Sequence, residues 1–141
     1  AEGSAVAAGA DLTLPIGAGP ERAVPATKSV VGAIGAGMAL LSALSPGYAV
    51  RAARDADAMA APGAVTHPRQ RDLAAALLRS NHVYVIGRDT GYGAAQEIAL
   101  KIKETCAIHA EAYSSSEVLH GPMQLATRQL TILMLDTGAV H

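Results

Sequence analysis

Residues 82–113 read HVYVIGRDTGYGAAQEIALKIKETCAIHAEAY. The first five residues form a β-branched and aromatic run, with the Ser80-Asn81 turn before it and Gly87 after it. That pattern predicts a strand over 82–86, with Val83, Val85 and Ile86 as candidates for burial. A loop with Gly87, Gly91 and Gly93 follows, and then a helical period. Ala95, Ile98, Ala99, Ile102 and Cys106 fall on one side of that helix, suited to burial against a sheet. Glu97, Lys101 and Glu104, spaced by four and then three, share the other side. Ala110–Tyr113 predicts a second short strand. Further on, Leu130–Leu135 is nearly continuous in apolar residues, as expected of a strand inside a parallel sheet. The order strand, helix, strand, strand predicts a doubly wound α/β domain, which places ligands at the carboxyl ends of its strands.

Upstream, Asp11–Ile16 alternates polar and apolar residues and predicts a short strand, pushed to an edge by Pro15. Glu21–Lys28 predicts a helix N-terminus, with Pro25 in the first turn, Glu21 near the positive end of the dipole and Thr27 able to bond backbone. Val30–Leu44 is apolar all round and predicts a helix buried on every side or against another subunit. Ser45-Pro46-Gly47 stops it. Tyr48–Ala61 carries Arg51, Arg54, Asp55 and Asp57 among alanines and predicts a surface helix with local ion pairs. Pro62-Gly63 breaks that helix. His67-Pro68 opens the next, Arg69–Arg79, with Leu73, Leu77 and Leu78 as its apolar stripe; His67 reads as a solvated loop histidine.

The 141 residues suffice for one core or a little more. Half of them are hydrophobic, without Trp or Phe, so that core must be built from small and aliphatic side chains. The formal charge of −1 and the lack of a basic stripe argue against nucleic acid as a partner. Cys106 is a single cysteine, which excludes an internal disulfide and suits a reducing cytoplasm. No secretory leader is visible, and Val30–Leu44 falls short of the ~20 residues a membrane span needs. The chain begins with Ala1 rather than Met and is expected to be a fragment or trimmed piece.

Spacing alone leaves the chemistry open. Glu97 and Lys101 at i, i+4 are what a solvated helix face carries. Ser114 and Glu117 fit a capping box. A lone histidine before Gly121-Pro122 fits a structural hydrogen bond, and mid-helix Cys106 fits packing. The glycines form no GxGxxG, and GKS or GKT is missing, so dinucleotide and P-loop readings are weak.

Three longer runs narrow this: Lys101-Ile-Lys-Glu-Thr-Cys106, Ile108-His-Ala-Glu-Ala-Tyr113 and Glu117-Val-Leu-His-Gly-Pro-Met123. They resemble the second sugar-isomerase (SIS) subdomain of tandem-SIS phosphosugar enzymes. That group includes the isomerase half of glutamine–fructose-6-phosphate aminotransferase and the related glucosamine-6-phosphate deaminases. Ala18–Ser29 is similar to the segment joining the two SIS subdomains in the same group. The resemblance implies a three-layer, flavodoxin-like parallel sheet. Residues 1–45 would be the tail of a first SIS subdomain and its connecting helix, 46–80 a helical connection, and 81–141 a truncated second subdomain. Relatives carry Gly-Arg-Gly where this chain has Gly87-Arg88-Asp89.

By the same resemblance, Glu104 is the base that moves a proton between carbon 1 and carbon 2 of an open sugar phosphate. Lys101 stabilises the enediolate, and His120 opens the sugar ring, reaching into the neighbouring subunit's site of a homodimer. Val24, Ala26, Thr27 and Leu100 would contact substrate; Ala26 stands where many relatives have serine and lacks that hydroxyl. The phosphate-holding serine loop is expected upstream of Ala1, and a sugar-binding lysine tail beyond His141. No metal or cofactor is implied. The VLHGPM form resembles the deaminases more than the aminotransferase. The expected reaction is therefore glucosamine 6-phosphate to fructose 6-phosphate plus ammonia, with the aminotransferase as the nearest alternative. A phosphosugar-sensing SIS module of a regulator is the alternative of another class.

Overall fold

The structure is a computed structural model and describes residues 3–61, 68–126 and 129–138. The chain forms two compact units, Ala1–Thr66 and His67–His141. Pro62-Gly63 and His67 lie outside the described residues.

The first unit is helical: α1 (Ala5–Ala8), α2 (Lys28–Leu44) and α3 (Pro46–Ala60). The Ser4 hydroxyl caps α1 by accepting from Ala7 N–H at 3.2 Å. Ser45 ends α2 and starts α3. Its N–H donates to Leu41 O and its hydroxyl accepts from Tyr48 N–H at 3.4 Å, with Pro46 at the first helical position. The expected strand at Asp11–Ile16 does not form. Pro15 lacks a donor, and the described residues of this unit contain no strand to pair with. Residues 16–18 instead cross α2 at Gly32, where an added Cβ would lie 3.3 Å from Ile16 Cβ.

Helix α2 matches its expected span, and within its unit it is not buried on every side. Val31, Ile34, Leu41 and Leu44 are all exposed, and α2 has no buried residue. Its partner within the unit is α3, and one neighbouring helix covers one stripe of an all-apolar helix. Helix α3 is the expected surface helix, with an exposed Arg54–Asp55 ion pair at 3.2 Å.

The second unit contains α4 (Gln70–Leu78), β1 (His82–Gly87), α5 (Thr90–Cys106), β2 (His109–Ser114), 3₁₀ turns at Glu117–Leu119 and Pro122–Leu125, and β3 (Leu130–Met134). The sheet is parallel with order β2-β1-β3. Central β1 is buried on both faces. On one face Val83 and Val85 meet Ala95, Ala99 and Ile102 of α5 and Ala110 of β2. On the other, Tyr84 and Ile86 meet Val118. Small alanines let α5 lie close on the sheet, and each fully buried valine contributes about 1.5–3 kcal/mol. This is the expected α/β sheet.

Three local expectations are corrected. Helix α5 begins at Thr90, so Gly91 and Gly93 belong to its first turn rather than to a loop. Of the α4 stripe, Leu77 packs on the core, whereas Leu73 and Leu78 are exposed. Cys106 is exposed rather than packed, because it ends the helix one turn past Ile102, and Ala107 in the left-handed region (φ 54°) turns the chain away.

Among the described residues, no helix is long and apolar enough to cross a membrane.

Candidate active site

The helical period of α5 sets two opposed stripes. Ala95, Ile98, Ala99 and Ile102 face the core. Glu97, Leu100, Lys101 and Glu104 share the outward stripe at spacings of three and four. On it, Lys101 Nζ lies 2.6 Å from Glu104 Oε2 and 3.4 Å from Glu97 Oε1. The lysine side chain is 23% exposed and that of Glu104 25%. The hydrogen bond to Glu104, reinforced by Glu97, holds the Lys101 ammonium above its ordinary pKa of 10.5 against a smaller opposing effect of desolvation. Lys101 is thus a cation at neutral pH. Leu100, beside this pair, is 41% exposed.

His120 sits at the other end of the unit. It lines an open cavity of about 440 Å³ with Tyr92, Ala112, Tyr113, Glu117 and Pro122. Burial, then the neighbouring Tyr84 and Glu111, keeps the Tyr113 phenol above its ordinary 10.0 and so neutral. The expected capping box forms reciprocally. Glu117 N–H donates to Ser114 Oγ at 3.1 Å, and Ser114 N–H to Glu117 Oε2 at 3.3 Å. His120 N–H closes the same turn on Glu117 O at 2.9 Å. Gly121 follows at φ 133°, a value that L side chains rarely adopt.

The β1–α5 junction shapes the carboxyl end of the sheet. An added Cβ on Gly87 would lie 2.6 Å from the Gly91 carbonyl carbon, so only glycine fits. Asp89, where relatives are expected to carry glycine, takes φ 50° and ψ −120°. The aspartate thus keeps a glycine-like backbone at the cost of strain.

These positions separate the predicted residues. Lys101 and Glu104 are brought together. His120 is not brought to them. Because β1 and β2 are parallel, α5 runs back along the sheet, and Tyr92, which shares the His120 cavity, lies at its opposite end. At a rise of ~1.5 Å per residue, Tyr92 and Glu104 stand ~18 Å apart along the axis. Val24, Ala26 and Thr27 lie in the first unit, before α2. Val24 is exposed, and Thr27 Oγ1 donates to Pro25 O at 3.1 Å. In that segment Ser29 N–H and Oγ–H both donate to Glu21 Oε2 at 3.1 Å. Chiefly through the backbone bond, they hold the Glu21 carboxyl below its ordinary 4.5. Helix α2 begins at Lys28, so Pro25 precedes it rather than forming its first turn.

Nothing in the local sequence pattern marks Tyr92 or Tyr113 as a site residue, yet both line the His120 cavity. The even spacing of Glu111 and Tyr113 carries a signal for one sheet face, but Tyr92 reaches the cavity only because α5 starts earlier than its glycines imply. Among the described residues, no group of three His, Cys, Asp or Glu side chains could hold a metal.

Residues 76–139 match the SIS domain family. The matched stretch runs from the end of α4 to past the end of β3. It contains the α5 stripe, the His120 cavity and all three strands. The whole chain is similar to the isomerizing glutamine–fructose-6-phosphate aminotransferase of Symbiobacterium thermophilum, 36% identical over 147 residues, covering 96% of this chain and 24% of that protein. It is 35% identical over 151 residues to the enzyme of that name from Aeropyrum pernix, again covering 96% of this chain and 24% of that protein. The chain therefore spans about a quarter of the length of the curated relatives it matches. A solved structure from Silicibacter pomeroyi, described as a candidate phosphosugar isomerase, aligns with TM-score 0.73 at 36% identity, over 88% of this chain and 38% of that one. A Clostridium difficile structure of similar description aligns with TM-score 0.71 over 98% of this chain and 42% of that one. At 22% identity it speaks to the fold alone.

Proposed function

We propose that this chain supplies the proton-transfer face of an amino-sugar-phosphate active site. The observation that carries the reading is the 2.6 Å Lys101–Glu104 pair on the outward stripe of α5. Aldose–ketose conversion needs a base to move a proton between adjacent carbons and a cation to hold the enediolate oxygen. A carboxylate and an ammonium fixed on one rigid helix, in one turn, meet both needs. Glu104 is the base and Lys101 the electrostatic partner. Leu100 offers apolar surface beside them. Residues 81–141 act as a second SIS subdomain, after the end of a first in 1–45 and a helical connection in 46–80.

His120 acts as the ring-opening acid–base group of a neighbouring subunit. The ~18 Å axial separation of its cavity from Glu104 supports a site built from two chains of a homodimer. One cysteine and ordinary acidic and basic balance fit a cytoplasmic enzyme. The reaction proposed is glucosamine 6-phosphate to fructose 6-phosphate plus ammonia. The names of the curated relatives favour a second reading, the isomerase half of a glutamine-dependent aminotransferase. Both share the proton-transfer step.

Ammonia and fructose 6-phosphate released from glucosamine 6-phosphate by the whole protein support the deaminase. Glucosamine 6-phosphate formed from fructose 6-phosphate only when glutamine is supplied supports the aminotransferase. Tight binding of either sugar phosphate with no turnover in either assay overturns both in favour of a sensor.

A further inference from the structure

We propose that Tyr84 is a positioning residue for His120, acting as a strut between the central strand and the turn that carries the histidine. The functional half of this inference rests on the role proposed for His120; the structural half stands by itself. Tyr84 is 5% exposed, in the middle of β1 and hydrogen-bonded on both sides, paired with Glu111 of β2 and Ile132 of β3. It is thus among the least mobile positions of the unit. Its ring meets Tyr113 edge-on, with centroids 4.9 Å apart, and packs with Val118. Its hydroxyl donates to Pro122 O at 2.9 Å, across 38 positions of sequence.

The turn from Glu117 to Pro122 therefore has two anchors on β1. Val118 is held by burial (4% exposed) and Pro122 by the Tyr84 hydroxyl. Exposed His120 stands between them. Gly121 at φ 133° gives the backbone freedom at that point, and the hydroxyl removes it again. A phenylalanine would satisfy the packing but not this bond, so a tyrosine here has a use that burial alone does not explain.

The test compares the ¹⁵N-labelled protein with a Tyr84→Phe variant. Amides of β1 are expected to keep their hydrogen-exchange rates. Those at His120 and Gln124, bonded within the turn to Glu117 O and Gly121 O, are expected to exchange roughly fivefold faster, the scale of one net hydrogen bond, with a shifted His120 imidazole spectrum. Unchanged exchange and an unchanged imidazole overturn the strut. The wild-type protein gives a second measurement, independent of the variant's folding. The Tyr84 hydroxyl proton should exchange slowly and show a nuclear Overhauser contact to Pro122; exchange as fast as from an exposed tyrosine overturns the strut.

In turnover assays of the whole protein, Tyr84→Phe should lower kcat roughly fivefold with little change in KM. It should cost nothing further in a His120→Ala background. Equal losses in both backgrounds overturn the positioning role. Full turnover in His120→Ala alone removes the catalytic reading of the histidine, and the exchange comparison then decides the strut.

Discussion

Lys101 Nζ lies 2.6 Å from Glu104 Oε2, one turn apart on the outward stripe of α5, while the same nitrogen holds Glu97 Oε1 at 3.4 Å. One ammonium thus orders two carboxylates on a helix whose other face is fixed to the sheet by Ala95, Ala99 and Ile102. A base whose position is set this way has little freedom to lose on binding substrate. Glu104→Gln keeps the shape and a hydrogen-bond acceptor for Lys101 but loses the basicity. It is expected to lower carbon-1/carbon-2 proton exchange by about 10²–10⁴-fold and to leave sugar-phosphate binding nearly unchanged. Solvent-deuterium incorporation and titration calorimetry on the same variant read the two quantities. Wild-type exchange in Glu104→Gln removes Glu104 from the role.

The same pair gives a pH dependence with a fixed sign. The Glu104 hydrogen bond holds the Lys101 pKa above 10.5, so the folded chain keeps this proton more tightly than the unfolded chain. The resulting stability is fully present below the ordinary lysine value. It is lost as pH rises through the raised one. Lys101→Met is therefore expected to flatten the alkaline fall in unfolding midpoint above pH 10.5 and to leave the slope between pH 6 and 9 as in wild type. The effect is modest because the pair is partly solvated. Denaturant titrations at stepped pH measure it, and equal alkaline slopes count against the pair as a stabilising contact.

Asp89 opens α5 at φ 50° and ψ −120°, beside Arg88, whose Nε is 3.8 Å from Asp89 Oδ2. A side chain in that region costs roughly 1–2 kcal/mol relative to glycine, offset in part by the greater unfolded-state entropy of glycine. The exposed ion pair contributes little against this. Asp89→Gly is expected to stabilise the protein by about 0.5–1 kcal/mol, read as a rise in the urea midpoint at constant slope. A lower midpoint would mean that the aspartate side chain contributes more than its backbone costs.

The sheet was readable because its strands are short β-branched and apolar runs, and α5 because its residues keep a period near 3.6. Val83, Val85 and Ile86 are buried as expected, with Tyr84 buried beside Ile86 on the second face where its hydroxyl gave no sign of it, and Ala95, Ala99 and Ile102 lie where the helical period put them. The capping box was legible as well, since Ser114 and Glu117 act within four residues of each other. What failed depended on neighbours that local pattern cannot name. Asp11–Ile16 alternates like a strand but has no strand beside it among the described residues. Leu78 continues an apolar stripe past the point where α4 leaves the core. Likewise, Cys106 keeps the right period one turn too far. The Lys101–Glu104 pair was legible from spacing; its separation from His120 was not, because that follows from the direction in which α5 crosses the sheet.

That separation sets the last prediction. His120 shares a cavity with Tyr92 at the start of α5, and Glu104 stands ~18 Å further along the helix axis. No side chain spans such a gap, so if both groups serve one sugar they must come from different chains. A protein carrying only Glu104→Gln and one carrying only His120→Ala should then each be nearly inactive. Mixed and allowed to exchange subunits, they should regain activity, because a mixed dimer holds one site with both groups intact. Equal amounts reassociating at random make about half the dimers mixed, each with one working site of two, so the ceiling is about a quarter of wild-type activity. Native mass spectrometry on differently tagged chains confirms the exchange. If activity stays flat after verified exchange, the two residues do not serve a shared site. The proton-transfer role of Glu104 would then stand or fall by its deuterium result alone.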